Sequence, residues 1–198
     1  MAGKMRVNKI GAVFLAAGLS RRAGPVNKLL ASIDGSAIVR RSLSQLVASK
    51  CDPIIVVTGH QAELVEKALV EAPVRFVYND AYTEGMAASI RSGIAALPSD
   101  VGAVFIVLGD MPHIRLETYK ALISVFDPDL GHEICVPVYR GKYGNPVLFG
   151  RRFFDELVKQ QGDKGGKSVL KKHTEFVVEI DVDDPGIQLD YDTVQGLE

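Results

Sequence analysis

Arg21, Arg22 and Lys28 place three cations within eight residues, and Gly18 and Gly24 bracket the two arginines. Glycines at such positions leave the backbone free to turn its amide N–H groups toward an anion. The stretch Leu15-Ala-Ala-Gly-Leu-Ser-Arg-Arg-Ala-Gly-Pro-Val-Asn-Lys28 is therefore suited to a polyanion, and to a nucleoside triphosphate in particular. Two familiar phosphate loops do not fit it. A P-loop needs four residues between its glycines and then Lys with Ser or Thr at once, whereas five residues separate Gly18 from Gly24 and Lys28 comes four later. The dinucleotide fingerprint needs a glycine two residues after Gly18, where Ser20 stands.

A carboxylate belongs beside such a loop only if a cation separates it from the phosphates. Asp110 follows the apolar run Ala103–Leu108 and Gly109, so it is expected at the end of a strand on the same edge as Gly18, as a ligand for Mg²⁺. An Asp before Met111-Pro112 also suits a helix cap, and both roles can coexist. Further acids gather in Asp181-Val-Asp-Asp-Pro185 and Leu189-Asp-Tyr-Asp-Thr193, where Asp190 and Asp192 share a face if the backbone is extended. Asp192 or Thr193 would serve equally as a cap. His60 and His113 follow strand ends but are not needed by a site of cations and carboxylates. Cys51 and Cys135 are too far apart in sequence for a redox pair or a zinc cluster, and read as plain thiols.

The elements that must hold these residues follow an α/β order. Ile10–Ala17 is almost wholly apolar, as in a parallel strand buried on both faces, and Gly18 ends it. Val39, Leu43, Leu46 and Val47 recur at helical spacing, Pro53–Thr58 is a second strand, and Leu64, Val65, Ala68 and Leu69 form the next helical face. Val74–Tyr78 reads as a strand, Met86, Ile90 and Leu97 as a helical face ending before Pro98, and Ala103–Leu108 as the most apolar strand. Glu133–Tyr139 and Pro146–Phe149 look like strands, Arg151–Gln161 like a helix, and Gly162–Lys172 like a basic glycine-rich loop opening another. Alternating strands and helices predict a three-layer, Rossmann-like fold with a mostly parallel sheet, whose ligands lie at the carboxyl ends of the strands. The chain of 198 residues is read as one domain spanning 1–198, long enough to bury roughly 70% of its unfolded surface. A net charge of −1 argues against a nucleic-acid partner bound through a basic face, and no apolar run of membrane-spanning length occurs. The expected setting is the cytoplasm.

Taken in order, the Leu15–Lys28 loop, Gly85-Met-Ala-Ala-Ser-Ile-Arg91, Leu108-Gly-Asp-Met-Pro112, Gly144-Asn-Pro-Val-Leu-Phe149, Gly162-Asp-Lys-Gly-Gly166 and Leu189-Asp-Tyr-Asp-Thr193 resemble the molybdenum cofactor cytidylyltransferase family, within the Rossmann-like nucleotidyltransferases. The resemblance implies that Ala16, Ala17 and Gly18 contact base and ribose, with Leu15 and Ser20 in the same nucleotide-binding loop. It implies that Arg22 and Lys28 hold the triphosphate, that Asp110 holds Mg²⁺, and that Asp190 or Asp192 completes the metal site. Asn79 and Ser89 become nucleotide contacts. Two departures stand out. Ala23 replaces the family's Met or Phe, trimming an apolar clamp so that loop order is expected to depend on nucleotide, and Asp-Tyr-Asp-Thr-Val-Gln-Gly replaces Asp-Ile-Asp-Thr-Pro-Glu-Asp.

The implied reaction is attack by the terminal phosphate of molybdopterin on the α-phosphorus of CTP, giving molybdopterin cytosine dinucleotide and pyrophosphate. A phosphate monoester with a second pKa near ~6 is largely ionised at neutral pH, so no general base is required. Related guanylyltransferases carry Gly-Gly where Ala16-Ala17 stand here, and two methyl groups that narrow the base pocket favour CTP over GTP. Lys164 and Lys167 are expected to meet the anionic acceptor, and an apo-molybdoenzyme is a transient partner. Transfer from GTP, a sugar or polyol phosphate acceptor, and a non-catalytic cofactor carrier remain the alternatives.

Overall fold

The computed structural model describes residues 9–19 and 27–191. Strand β1 (Ile10–Ala16) is followed by a 3-10 turn at Lys28–Leu30, a small antiparallel pair β2 (Ser32–Ile33) and β3 (Ser36–Ala37), and helix α1 (Ile38–Ala48). Next come β4 (Ile54–Thr58), α2 (Ala62–Ala68), β5 (Arg75–Tyr78), α3 (Met86–Ala95), β6 (Ala103–Leu108) and α4 (Leu116–Val125). The last part holds β7 (Ile134–Tyr139), β8 (Lys142–Tyr143), β9 (Val147–Gly150), α5 (Phe154–Val158), α6 (Lys167–Lys172) and β10 (Val177–Asp181).

The main sheet runs β10-β7-β9-β6-β1-β4-β5, with β8 paired to β7. All of its strands are parallel except β8 and β9, which run against their neighbours. The mostly parallel sheet expected from the sequence is thus present, between two helical layers. Phe14, Phe105, Leu43, Leu46, Tyr119 and Leu122 fill one face, and Val13, Val57, Ile90, Val104, Phe149 and Leu157 the other. Each such side chain, once wholly buried, is worth about 1.5–3 kcal/mol.

Several boundaries shift from those expected. The helix read over Arg151–Gln161 is a 3-10 turn, Arg151–Phe153, followed by the five residues of α5. Helix α3 stops at Ala95, short of Leu97. Helix α4 and strand β10 were not anticipated at all. No helix among the described residues is long and apolar enough to cross a membrane.

Two features of the fold set the site. First, β1 pairs with β4 on one side and β6 on the other, so the loops leaving β1 and β6 start side by side at the carboxyl ends of the strands, where α/β sheets bind ligands. Second, α3 lies unusually close to the sheet, because a Cβ on Gly93 would come within 2.3 Å of Val13 Cγ1. That approach brings the first turn of α3 to the same edge of the sheet.

Candidate active site

A cleft of about 580 Å³ opens at the β1/β6 crevice. Its lining joins small and charged residues, Gly18, Lys28, Asp110 and Asp190, to more apolar ones, Leu15, Ala17, Tyr82 and Met86, with Ser89 among them.

Lys28 is presented by local chemistry. The buried Asn27 accepts a hydrogen bond from Leu29 N at 3.1 Å, which starts the Lys28–Leu30 turn, and its Nδ2 donates to the His60 carbonyl at 3.4 Å. The turn is therefore tied to the end of β4, a positioning role for Asn27 that sequence reasoning passed over although the residue lies inside the quoted loop. Lys28 Nζ then reaches Asp110 Oδ2 at 2.6 Å, with side chains 17% and 20% exposed. Asp110 is itself held from two directions. Gly109 N donates to the Leu15 carbonyl at 3.0 Å, and Tyr191 N donates to the Asp110 carbonyl at 2.9 Å. The second bond explains how Asp190, so distant in sequence, comes to line the same cleft.

At the other end, Ser89 is buried in the first turns of α3, and its Oγ accepts from Asn79 Nδ2 at 3.1 Å. Asn79 is engaged by the protein on its carbonyl side as well: Oδ1 accepts from Ala81 N at 3.1 Å and lies 3.3 Å from Ser92 Oγ, whose one hydrogen it shares with the Ala88 carbonyl. It stands behind Ser89 and does not line the cleft. Ala16 is likewise outside it, packed in the core face that contains Phe14 and Leu43, so of the two alanines only Ala17 lines the cleft, and it is itself buried against the other core face. Leu15, Ala17, Gly18, Lys28, Ser89, Asp110 and Asp190 are brought together as expected. Ser20, Arg22 and Asp192, and the expectation about Ala23, lie outside the described residues.

The loop from Gly162 to Gly166 departs from its expected role. It lies across the start of α3: Gly162 O accepts from Ala87 N at 2.9 Å, and Asp163 Oδ1 accepts from Met86 N at 3.4 Å. Gly85 has φ +104°, and a Cβ there would fall 2.6 Å from the Gly162 carbonyl carbon, so only glycine allows the crossing. The loop residue that lines the cleft is Asp163; Lys164 and Lys167 do not. His60 and His113 do not line it either.

Against known proteins, residues 12–176 match the MobA-like NTP transferase domain, which covers most of the chain. The chain belongs to that family. This MobA-like domain is 29% identical over 179 residues to the purine catabolism protein PucB of Bacillus subtilis, covering 84% of this chain and 83% of that one. It is also 35% identical over 120 residues to the bifunctional protein GlmU of Anaeromyxobacter dehalogenans, where the alignment takes in 58% of this chain and only 24% of the longer relative. Among solved structures, Rv0371c from Mycobacterium tuberculosis H37Rv superposes with a TM-score of 0.85 at 29% identity, covering 98% of this chain and 97% of that one. A structure of Rv0371C in complex with manganese superposes at 0.78 with 25% identity, covering 96% and 97%. The chain accordingly carries a MobA-like NTP transferase domain with a Rossmann-like fold; the base and the acceptor are narrower matters than this likeness reaches.

Mg²⁺ is held by one or two carboxylates together with substrate phosphates, seldom by an all-protein cage. Asp110 and Asp190 supply two hard oxygen donors in one cleft beside Lys28, and no group of three or more His, Cys, Asp or Glu suited to a metal occurs among the described residues. The donor set fits Mg²⁺ or Mn²⁺ arriving with a triphosphate, and is a poor match for zinc, which favours four N or S ligands.

Proposed function

We propose that the protein transfers CMP from CTP to the terminal phosphate of molybdopterin, releasing pyrophosphate. The observation that carries this reading is the Lys28–Asp110 pair, 2.6 Å apart at the mouth of the β1/β6 crevice. A lysine and a carboxylate placed together at a strand-end crevice suit a polyanion that brings its own metal, since each charge then gains a partner of opposite sign.

In this reading Lys28 Nζ binds the β- and γ-phosphates and stabilises the charge that builds on departing pyrophosphate, the main requirement of such transfers. Arg22, carried from the sequence resemblance, serves the same group. Asp110 and Asp190 would hold Mg²⁺, which when bound neutralises phosphate charge and aligns the α-phosphate for in-line attack. An oxygen of the acceptor phosphate forms the new P–O bond to the α-phosphorus as the bond to the pyrophosphate oxygen breaks. That nucleophile is already ionised, so no protein base is needed. In this reading Ser89, whose Oγ accepts from Asn79 Nδ2, and Ala17 lie against the nucleoside, and Ala17, the one of the two alanines in the cleft lining, would set the preference for a pyrimidine over a purine. The dinucleotide product would pass to an apo-molybdoenzyme in the cytoplasm.

The test is pyrophosphate release with Mg²⁺, molybdopterin and each of CTP, GTP, ATP and UTP. CTP with molybdopterin is expected to give release that depends on both substrates. Release with GTP alone overturns the base assignment, release with a sugar 1-phosphate in place of molybdopterin overturns the acceptor, and cofactor binding without any release identifies a carrier.

A further inference from the structure

We infer that Asp163 selects the base by accepting a hydrogen bond from the 4-amino group of cytosine. The inference rests on the proposed use of CTP and names the side chain responsible for telling it from UTP.

Asp163 lines the cleft beside Met86 and Gly85. One carboxylate oxygen, Oδ1, accepts from Met86 N at 3.4 Å. The other has no hydrogen-bond or ion-pair partner among the described residues. The loop carrying it is fixed by the Ala87 N to Gly162 O bond of 2.9 Å, and Gly85 and Gly162 pack with no room for a Cβ between them. The second oxygen can only accept, and in the proposed function a base edge meets it beside Met86. Cytosine presents a 4-amino donor there, uracil an O4 acceptor, and a carboxylate pairs with the first and repels the second, as acidic side chains do with cytosine in nucleic acids. Glu84 is a second carboxylate on the same wall and, like Asp163, is exposed, but the Glu84 side chain makes no hydrogen bond among the described residues, whereas Asp163 is oriented by Met86 N–H and by the packing of its loop on Gly85. The purines, one of which also carries an exocyclic amine at this edge, are excluded by size at Ala17 rather than by Asp163.

The experiment measures equilibrium binding, with Mg²⁺, of CTP, UTP and the CTP analogue lacking the 4-amino group. In the unaltered protein CTP is expected to bind about tenfold tighter than either of the others, as fits one hydrogen bond to a charged group. Asp163→Asn, whose amide can still accept from Met86 N–H while turning its NH₂ toward O4, should bring the CTP:UTP ratio to one or invert it. Asp163→Ala should make CTP and the analogue bind equally. Because the analogue probes the same contact without mutation, the inference stands or falls even where a variant folds poorly. An unchanged ratio in both Asp163 variants overturns it, as does loss of the ratio in Glu84→Gln instead. It is also overturned if Asp163→Ala abolishes discrimination against 2′-deoxy-CTP and leaves the base preference intact, which would place Asp163 on the ribose. Equal binding of CTP and UTP by the unaltered protein removes only this inference, whereas binding of neither removes the proposed function with it.

Discussion

The two halves of the sheet are built by different rules. On the side of β5, β4, β1 and β6 every strand is parallel, and the helices that follow are placed by local hydrophobic periodicity. On the side of β9, β7 and β10, strand directions mix, helices are as short as five residues, and several joints are made by side chains far apart in sequence. Helix α4 shows how the second half reaches into the first. Its N-cap residue is Arg115, which makes no side-chain cap of its own. Asp184 instead accepts from Arg115 N at 2.8 Å and Thr118 Oγ1 at 2.6 Å, and also from Gly186 N at 3.0 Å. The lesson is one of division: the parallel half brings Lys28 and Asp110 to the cleft, and the mixed half braces them and adds Asp163 and Asp190 to its walls.

Breaking the first half should cost chemistry above all. Lys28→Ala is expected to lower turnover about 100-fold or more with little change in stability, as removal of one charge-stabilising donor does elsewhere. Lys120→Ala, on the exposed side of α4, should leave turnover as it was. Steady-state pyrophosphate release distinguishes the two, and equal rates for both variants would end the division.

Breaking the second half should cost stability. Asp184→Ala leaves two backbone N–H groups and a buried hydroxyl without their acceptor, for a loss of about 2–4 kcal/mol read by urea unfolding. A loss below about 1 kcal/mol would show that the long-range joint is dispensable.

A smaller effect sharpens the boundary between the halves. Gly85→Ala forces a side chain into φ +104° against the Gly162 backbone and should cost about 1–3 kcal/mol together with nucleotide affinity. Gly18→Ala meets nothing within 4 Å, so any loss of rate it causes, at unchanged thermal midpoint, reports close approach of the phosphates and nothing about folding.

Least in size is the pH response of Glu133. Burial raises its carboxyl above the ordinary 4.5, opposed by Arg152, whose NH2 lies 3.3 Å from Oε1. A raised carboxyl favours the protonated folded form. The stability it confers is present in full below 4.5 and is lost as pH rises through the raised folded value. Glu133→Gln should therefore melt slightly higher than the unaltered protein at neutral pH and alike at pH 4; a variant that melts lower at neutral pH would show that the Arg152 ion pair outweighs burial.

Much of the first half was legible because its signals are local. The apolar run of β1 ending at Gly18 and that of β6 ending at Gly109 announce two strand ends, and Lys28 and Asp110 follow from them. Asp190 was reached through a family pattern, while the bond that seats it, Tyr191 N to Asp110 O, leaves no trace in spacing. Asn79 was read as a ligand contact because an Asn after a strand end looks the same whether it faces nucleotide or, as here, Ser89 and Ser92. Helix α4 escaped notice for want of a cap nearby, and Asp163 was overshadowed by the lysines beside it, whose charge suggested an anion that the loop's actual direction does not face.

The Tyr191 tether has a consequence for how the protein comes into being. A nascent chain that has emerged only as far as Asp181 already carries every described strand, yet it lacks both Asp184, which braces α4, and the residue that brings Asp190 to Asp110. The strands can thus be present before the cleft is complete: its Asp190 wall is seated beside Asp110 only once Tyr191 has been added to the chain.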